Sequence, residues 1–272
     1  MAEEMKAYFN GDWLPSSECK LAMDDRGFTL GDSVFEVDRT FDLKIFDLEG
    51  HLDRLFRSLK FTRIEPGLTR EEITEISYEA VERNKHLVPP GGDMTIRQTV
   101  TRGRAASITD KVPATVHISA SAMNFKRYAH LYDEGAHVVF ARTRSYHPDS
   151  LDPKVKHQSR MNFVLASLEA ADVDPASWPV MLDLDGNISE GTGFNFWIVK
   201  DGATVTDQTS NGNDGTIYGA TWSTEMPSIT TTIIQQETLS GIAWQADTDK
   251  GQAGFTPGNP MTFRYFARRG GV

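Results

Sequence analysis

Apolar residues recur along this chain at two different intervals, and the changes of interval divide it into elements. Short aromatic runs at Ala7-Tyr8-Phe9 and Trp13-Leu14 flank Asn10-Gly11. That dipeptide tolerates the positive φ angles of a tight turn, so Lys6 to Leu14 reads as a β-hairpin. Gly27 and Gly31 punctuate the next stretch, and Val34 to Thr40 then alternates apolar and polar as a half-buried strand does. From Gly50 to Arg63 the residues Leu52, Leu55, Phe56 and Leu59 return at helical spacing. A second helix has a start signal at Thr69. Thr69 and Glu72 form a capping box, Leu68 and Ile73 a hydrophobic staple, and Ile73, Ile76, Ala80 and Val81 the buried face.

Pro89 to Gly92 stops that helix, and a strand begins near Met94 with Thr95, Arg97, Thr99 and Thr101 on one face. Ala114 to Ala120 reads as another strand. The following AMNFKRYAHLYDEG has no strong periodicity, and His137 to Arg142 is again strand-like. A loop, SYHPDSLDP, leads to Lys156 and a helix-like run. A hairpin then turns at Asp185-Gly186 and runs into Glu190.

With 272 residues the chain suits one large domain or two modest ones. A net charge of −10 argues against nucleic acid or an anionic membrane as the main partner. It leaves room for a local basic pocket around a phosphate. The single cysteine, Cys19, excludes an internal disulfide framework and cysteine-based zinc sites. The start MAEEMKAYFNGDW has no apolar signal core, and no run of 18 apolar residues occurs. A soluble, cytoplasmic protein is expected.

Read by chemistry alone, several residues keep two meanings. Arg54 is either a solvated helix arginine or a guanidinium fork for a phosphate. Arg97, among short hydroxyl side chains, is either a surface-strand arginine or a carboxylate dock. Lys156 has Lys154 as a competitor two residues away. A lysine that forms a Schiff base must lose its proton, so it needs a desolvated pocket or a neighbouring cation. Val155 before Lys156, with Phe163, Val164, Leu165 and Leu168 after it, suits such burial.

Four segments together carry a resemblance to a known family. DRGFTLGDSVFE resembles the N-terminal signature of the fold type IV pyridoxal-phosphate enzymes, with Ser33 where glycine is usual. HLDRL, containing Arg54, resembles the family's phosphate-binding segment. DPKVKHQSRMNFVLASLEA places Lys156 at the cofactor lysine, and SEGTGFNFWIV matches the family motif at Glu190, Gly191, Thr192, Gly193, Asn195 and Phe196. The family includes branched-chain and D-amino-acid aminotransferases, R-selective amine transaminases and aminodeoxychorismate lyase.

The resemblance implies a two-domain α+β fold: an N-terminal domain over 1–122, a linker over 123–133 and a cofactor-binding domain over 134–272. It implies pyridoxal 5′-phosphate as cofactor, an amino donor and a keto-acid acceptor as substrates, and a homodimer. Lys156 would form the internal aldimine, and Glu190 would keep the pyridine nitrogen protonated. Gly191, Thr192, Gly193 and Asn195 would line the cofactor beside Arg54. Phe35, Thr95 and Arg97 would meet the substrate.

After Lys200 the resemblance weakens. SNGNDGTIYGATW looks like the opening strand of a laminin-G or concanavalin-like module, for which too few residues remain. Ile229 and Thr230 stand where a displaced phosphate-binding turn would lie. The run Lys156-His157-Gln158-Ser159-Arg160 also looks like the lyase branch. Two rivals to amino transfer therefore stand: an elimination at the same site, and a homologue impaired in cofactor binding.

Overall fold

The computed structural model describes residues 3–195 and the backbone of two short strands, Val199–Lys200 and Ala203–Thr204. The chain forms two compact units. One contains the chain up to Asn124 together with Asp149–Met161; the other contains Phe125–Pro148 and continues from Asn162.

The first unit is built on a six-stranded antiparallel sheet. Its strands are β1 (Lys6–Phe9), β2 (Asp12–Pro15), β3 (Ser33–Phe41), β4 (Lys44–Ile45), β5 (Met94–Thr101) and β6 (Thr115–Ala122), in the order β2-β1-β6-β5-β3-β4. The hairpin between β1 and β2 turns through Asn10 and Gly11, both at positive φ. A one-turn helix α1 (Arg26–Leu30) precedes β3 and ends at Gly31, whose φ of 66° is left-handed. The resemblance puts a serine at position 33 where glycine is usual. Ser33 is ordinary buried strand with no positive φ, so the backbone there does not need glycine.

Two helices, α2 (Leu48–Thr62) and α3 (Arg70–Asn84), pack against the sheet. Both halves of the Thr69–Glu72 capping box form. At the far end of α3, the buried Asn84 side chain bonds both backbone groups of Lys6 and ties the helix to β1. Leu52, Leu55, Ile73, Ile96 and Ile118 form the centre of the core.

The expected half-buried strand at Val34 to Thr40 is corrected. Glu36, Asp38 and Thr40 are fully or almost fully buried. They share a face with Val34, and that face points toward α2 and α3 rather than toward water. The alternation was correct in period, but the polar side is the covered one. This is tolerable because each of the three side chains finds a partner, His51 and Arg54 from α2, Gln98 from β5, and Asp93 for the Thr40 hydroxyl, although Oδ1 of Asp38 and Oε1 of Gln98 accept no hydrogen bond among the described residues.

Asp149–Met161 returns to this first unit after Phe125–Pro148 has begun the second. Val155 joins the core. The Phe35 amide donates to the Lys156 carbonyl at 3.0 Å and the Gln158 amide to the Ser33 carbonyl at 3.0 Å. Residues 156–158 thus extend the sheet beside the first half of β3, where β4 does not reach, since β4 pairs only with Thr40 and Phe41. Domain boundaries drawn at 122 and 134 do not include this crossing.

In the second unit the stretch without periodicity forms two single turns, α4 (Lys126–Ala129) and α5 (Leu131–Glu134). Strand β7 (Val138–Phe140) pairs in parallel with β8 (Trp178–Leu182), and β9 (Ile188–Gly191) pairs antiparallel with β8 around Gly186 at φ 89°. Helix α6 (Met161–Val173) turns Phe163, Ala166 and Ala170 inward, and Ala141 and Met181 complete that core. Strands β10 and β11, at 199–200 and 203–204, pair antiparallel. Among the described residues no helix is long and apolar enough to cross a membrane, and no group of acidic, histidine or cysteine residues is placed to hold a metal ion.

Candidate active site

Lys156 lies on the short edge segment just described. Its amide donates to the Ser58 hydroxyl of α2 at 3.1 Å, which fixes where its side chain starts. The Nζ sits 4.8 Å from the centre of the Phe35 ring. Burial pushes this amine down to about 8. The charges of Arg54, Arg160 and Arg97 push the same way, and Glu36 opposes them. At pH 7 about one such amine in ten is neutral, against about one in three thousand for a lysine of ordinary pKa. Lys154, the competitor in the sequence, is exposed.

The apolar neighbours expected to desolvate Lys156 are corrected in part. Val155 is buried in the core, but Val164, Leu165 and Leu168 are exposed on α6, which turns them away from its own core. The apolar group that lies against the Lys156 amine is the Phe35 ring.

Phe35 itself is buried, and three cations converge on its ring. The guanidinium of Arg97 lies 4.1 Å from the ring centre, that of Arg160 lies 5.4 Å away, and Lys156 is the third. Arg97 reaches this place from β5, where Val37 is its partner across the ladder. Its Nε donates to the Thr99 hydroxyl at 3.3 Å. Burial, followed by the charge of Arg160, holds the Arg97 guanidinium below its usual value. Cations massed on one ring attract an anion, and the flat forks of two arginines suit a carboxylate or phosphate. Thr95 lies two residues from Arg97 on the same face and bonds the Ser121 hydroxyl at 2.7 Å. His157, adjacent to Lys156, is pushed down to about 4 by burial and then by Arg160, so it is neutral at physiological pH.

Arg54 meets β3 at Glu36, and its charge also acts on the Lys156 amine. Its Nε and Nη2 donate to the two oxygens of Glu36 at 2.5 and 2.7 Å. His51, one turn earlier on α2, approaches Glu36 at 2.9 Å and Asp38 at 3.4 Å through Nδ1. Burial acts to raise the Glu36 carboxyl, but the Arg54 fork and the His51 bond outweigh it and hold Glu36 below the usual carboxylate range. For Asp38 burial wins. It is pushed up to about 6 against the pull of His51 and the Gln98 hydrogen bond.

A carboxyl raised in the fold supplies stability that is present below its unfolded value and lost as pH rises through about 6. Asp38→Asn removes that loss. The expected gain is on the order of 2 kcal/mol near pH 7 and close to none at pH 4, read by urea unfolding at the two pH values.

In the second unit Glu190 lies on β9 opposite Met181, and Gly191 after it is buried. A side chain at Gly191 would meet the Phe194 ring at 2.5 Å, so the ring would have to shift to admit one. Phe194 packs edge-on against Trp178 with ring centres 5.0 Å apart. The Thr192 hydroxyl accepts from Ser167 of α6 at 3.4 Å; Thr192 and Gly193 are half-buried and Asn195 is exposed. Phe196, Ile229 and Thr230 lie outside the described residues.

The structure thus brings Lys156, Phe35, Arg97 and Arg54 together within the first unit. It adds Glu36, Asp38, His51 and Arg160, to which the sequence reading gave no binding role. The available signal was spacing. Glu36 and Asp38 are two apart on a strand, and His51 and Arg54 three apart on the next helix, so each pair shares one face.

Comparison with known proteins shows the family. The profile of the family described as amino-transferase class IV matches residues 33–239. A putative branched-chain-amino-acid aminotransferase of Methanocaldococcus jannaschii is 34% identical over 207 residues, covering 74% of this chain and 68% of that protein. A branched-chain-amino-acid aminotransferase-like protein of Arabidopsis thaliana is 32% identical, but the match spans 75% of this chain and 36% of the plant protein. Among solved structures, the branched-chain aminotransferase of the thermophilic archaeon Thermoproteus uzoniensis with norvaline superposes with a TM-score of 0.68 at 26% identity, over 79% of this chain and 72% of that one.

Proposed function

The chain belongs to the amino-transferase class IV family, and from that premise we propose that it is a pyridoxal 5′-phosphate-dependent aminotransferase, moving an amino group from an amino acid or amine to a 2-keto acid. The observation that carries this reading is Lys156: a desolvated amine at about 8, ringed by arginines, whose Nζ bonds no carboxylate among the described residues. Such an amine suits an aldehyde, and cations nearby suit a phosphate and a carboxylate, so the donor set fits the cofactor.

Bound there, pyridoxal phosphate supplies an aldehyde that takes up the amino nitrogen and a ring that withdraws electrons from Cα. The protein supplies the rest. Lys156, neutral often enough near pH 8 to act as a base, takes the proton from Cα and returns it on the acceptor side. Arg54 holds the phosphate, and Arg97 binds the substrate carboxylate over Phe35, with Thr95 beside it. Glu190 keeps the ring nitrogen protonated, and Gly191, Thr192, Gly193 and Asn195 line the same group. Ile229 and Thr230 are assigned to the phosphate turn on sequence alone.

The test is direct. Protein loaded with pyridoxal phosphate is given amino acids or amines with and without a 2-keto acid. Amino transfer that requires the keto acid supports the proposal. Pyruvate release from aminodeoxychorismate without any acceptor would favour the lyase of the same family.

A further inference from the structure

Glu36 closes the DRGFTLGDSVFE signature, yet it has no part in the proposed amino transfer. Its side chain is fully buried, the costliest position for a carboxylate, and it stays charged. The sheet places it there from β3, and α2 answers with His51, Arg54 and Ser58, which share one helix stripe. Along that stripe His51 meets Asp38 and Glu36, Arg54 meets Glu36, and Ser58 holds the backbone of Lys156. The other groups around the carboxylates are Gln98 from β5 and Ser77 from α3, both neutral, and Lys156 on the edge segment.

The contacts engage Arg54 along one edge only. Nε and Nη2 are taken by Glu36, and Nη2 also lies 3.5 Å from the His51 ring nitrogen. Nη1 makes no hydrogen bond among the described residues, and the arginine side chain is 35% exposed. A guanidinium gripped from behind on two atoms cannot swing about its long stem, and the edge left over presents its N–H pair in a fixed direction.

We propose that Glu36, steadied by His51, is a positioning residue that holds Arg54 for the phosphate of the cofactor. This rests on Arg54 being the phosphate ligand, so the experiment separates the two claims.

Apo protein is titrated with pyridoxal phosphate and with pyridoxal, which lacks the phosphate, and affinities are read from the quenching of tryptophan fluorescence. Arg54→Gln is expected to weaken pyridoxal phosphate by at least about tenfold and pyridoxal hardly at all. Glu36→Gln is expected to do the same on a smaller scale, about five- to tenfold, and His51→Asn about two- to threefold. If Arg54→Gln leaves the two ligands equally affected, the phosphate reading itself fails. If Arg54→Gln discriminates and Glu36→Gln does not, the positioning claim alone is overturned.

Glu36→Gln leaves Arg54 without its counter-charge and can unfold the protein. The double variant Glu36→Gln/Arg54→Gln, which leaves neither charge of that pair, covers that outcome. Its ratio of affinities should equal that of Arg54→Gln alone, because Glu36 acts only through Arg54. A further loss in the ratio would mean that Glu36 acts on the phosphate by another route and would overturn the proposal.

Discussion

Lys156→Met abolishes amino transfer and, at the same time, makes the apo protein more stable. The first effect follows from losing both the amine that captures the aldehyde and the base that moves the proton; at least about a thousandfold loss of rate is expected. The visible absorbance acquired with pyridoxal phosphate disappears with it. The second effect follows from the sign of the pKa shift. Burial, aided by three arginines, lowers this amine from 10.5 to about 8, so below pH 8 the fold carries a charge it would more readily release. That penalty is fully present below 8 and fades as pH climbs toward 10.5. The methionine, similar in length and without charge, avoids it. A gain on the order of 2 kcal/mol is expected at pH 7, shrinking above pH 9, by urea denaturation. A variant both inactive and less stable would mean that the amine sits in a more polar place than its burial indicates.

Arg54→Met has the opposite effect on stability. Glu36 has no exposed surface, and removing its partner strands a buried carboxylate. A cost of about 3–5 kcal/mol at neutral pH is expected. Here the wild-type carboxyl is held below its unfolded value of 4.5, so the pair supplies stability above that value and loses it as pH falls further. In Arg54→Met the carboxyl is raised instead, so the variant should recover part of its deficit when the pH drops from 7 to 5. Thermal unfolding at the two pH values reads this out. Equal deficits at both would show that the arginine contributes packing rather than charge.

Local signals in the sequence were legible where one residue or one turn decides the outcome. Thr69 and Glu72 cap α3 because a hydroxyl and a carboxylate three apart reach each other's amides, whatever surrounds them. Asn10-Gly11 and the turn at Gly186 follow from the same kind of argument. Lys156 and Arg54 stood out because their surrounding motifs are specific.

The polarity of β3 was not legible. Alternation fixes which residues share a face but not which face is covered, and here two acids face the core because His51 and Arg54 on α2 meet them. Phe35 under Arg97, Arg160 and Lys156 joins β3 and β5 to a segment more than fifty residues further on, which no window of sequence contains. Val164, Leu165 and Leu168 misled for a related reason. They flank the lysine in the chain but lie on exposed faces of α6.

The central claim is that Lys156, and no other lysine, takes the aldehyde. Incubating the protein with pyridoxal phosphate, reducing it with borohydride and mapping the label by mass spectrometry tests this without any knowledge of the substrate. The account predicts one stoichiometric phosphopyridoxyl group on Lys156. A label on the exposed Lys154, a label scattered over surface lysines, or none at all would contradict it.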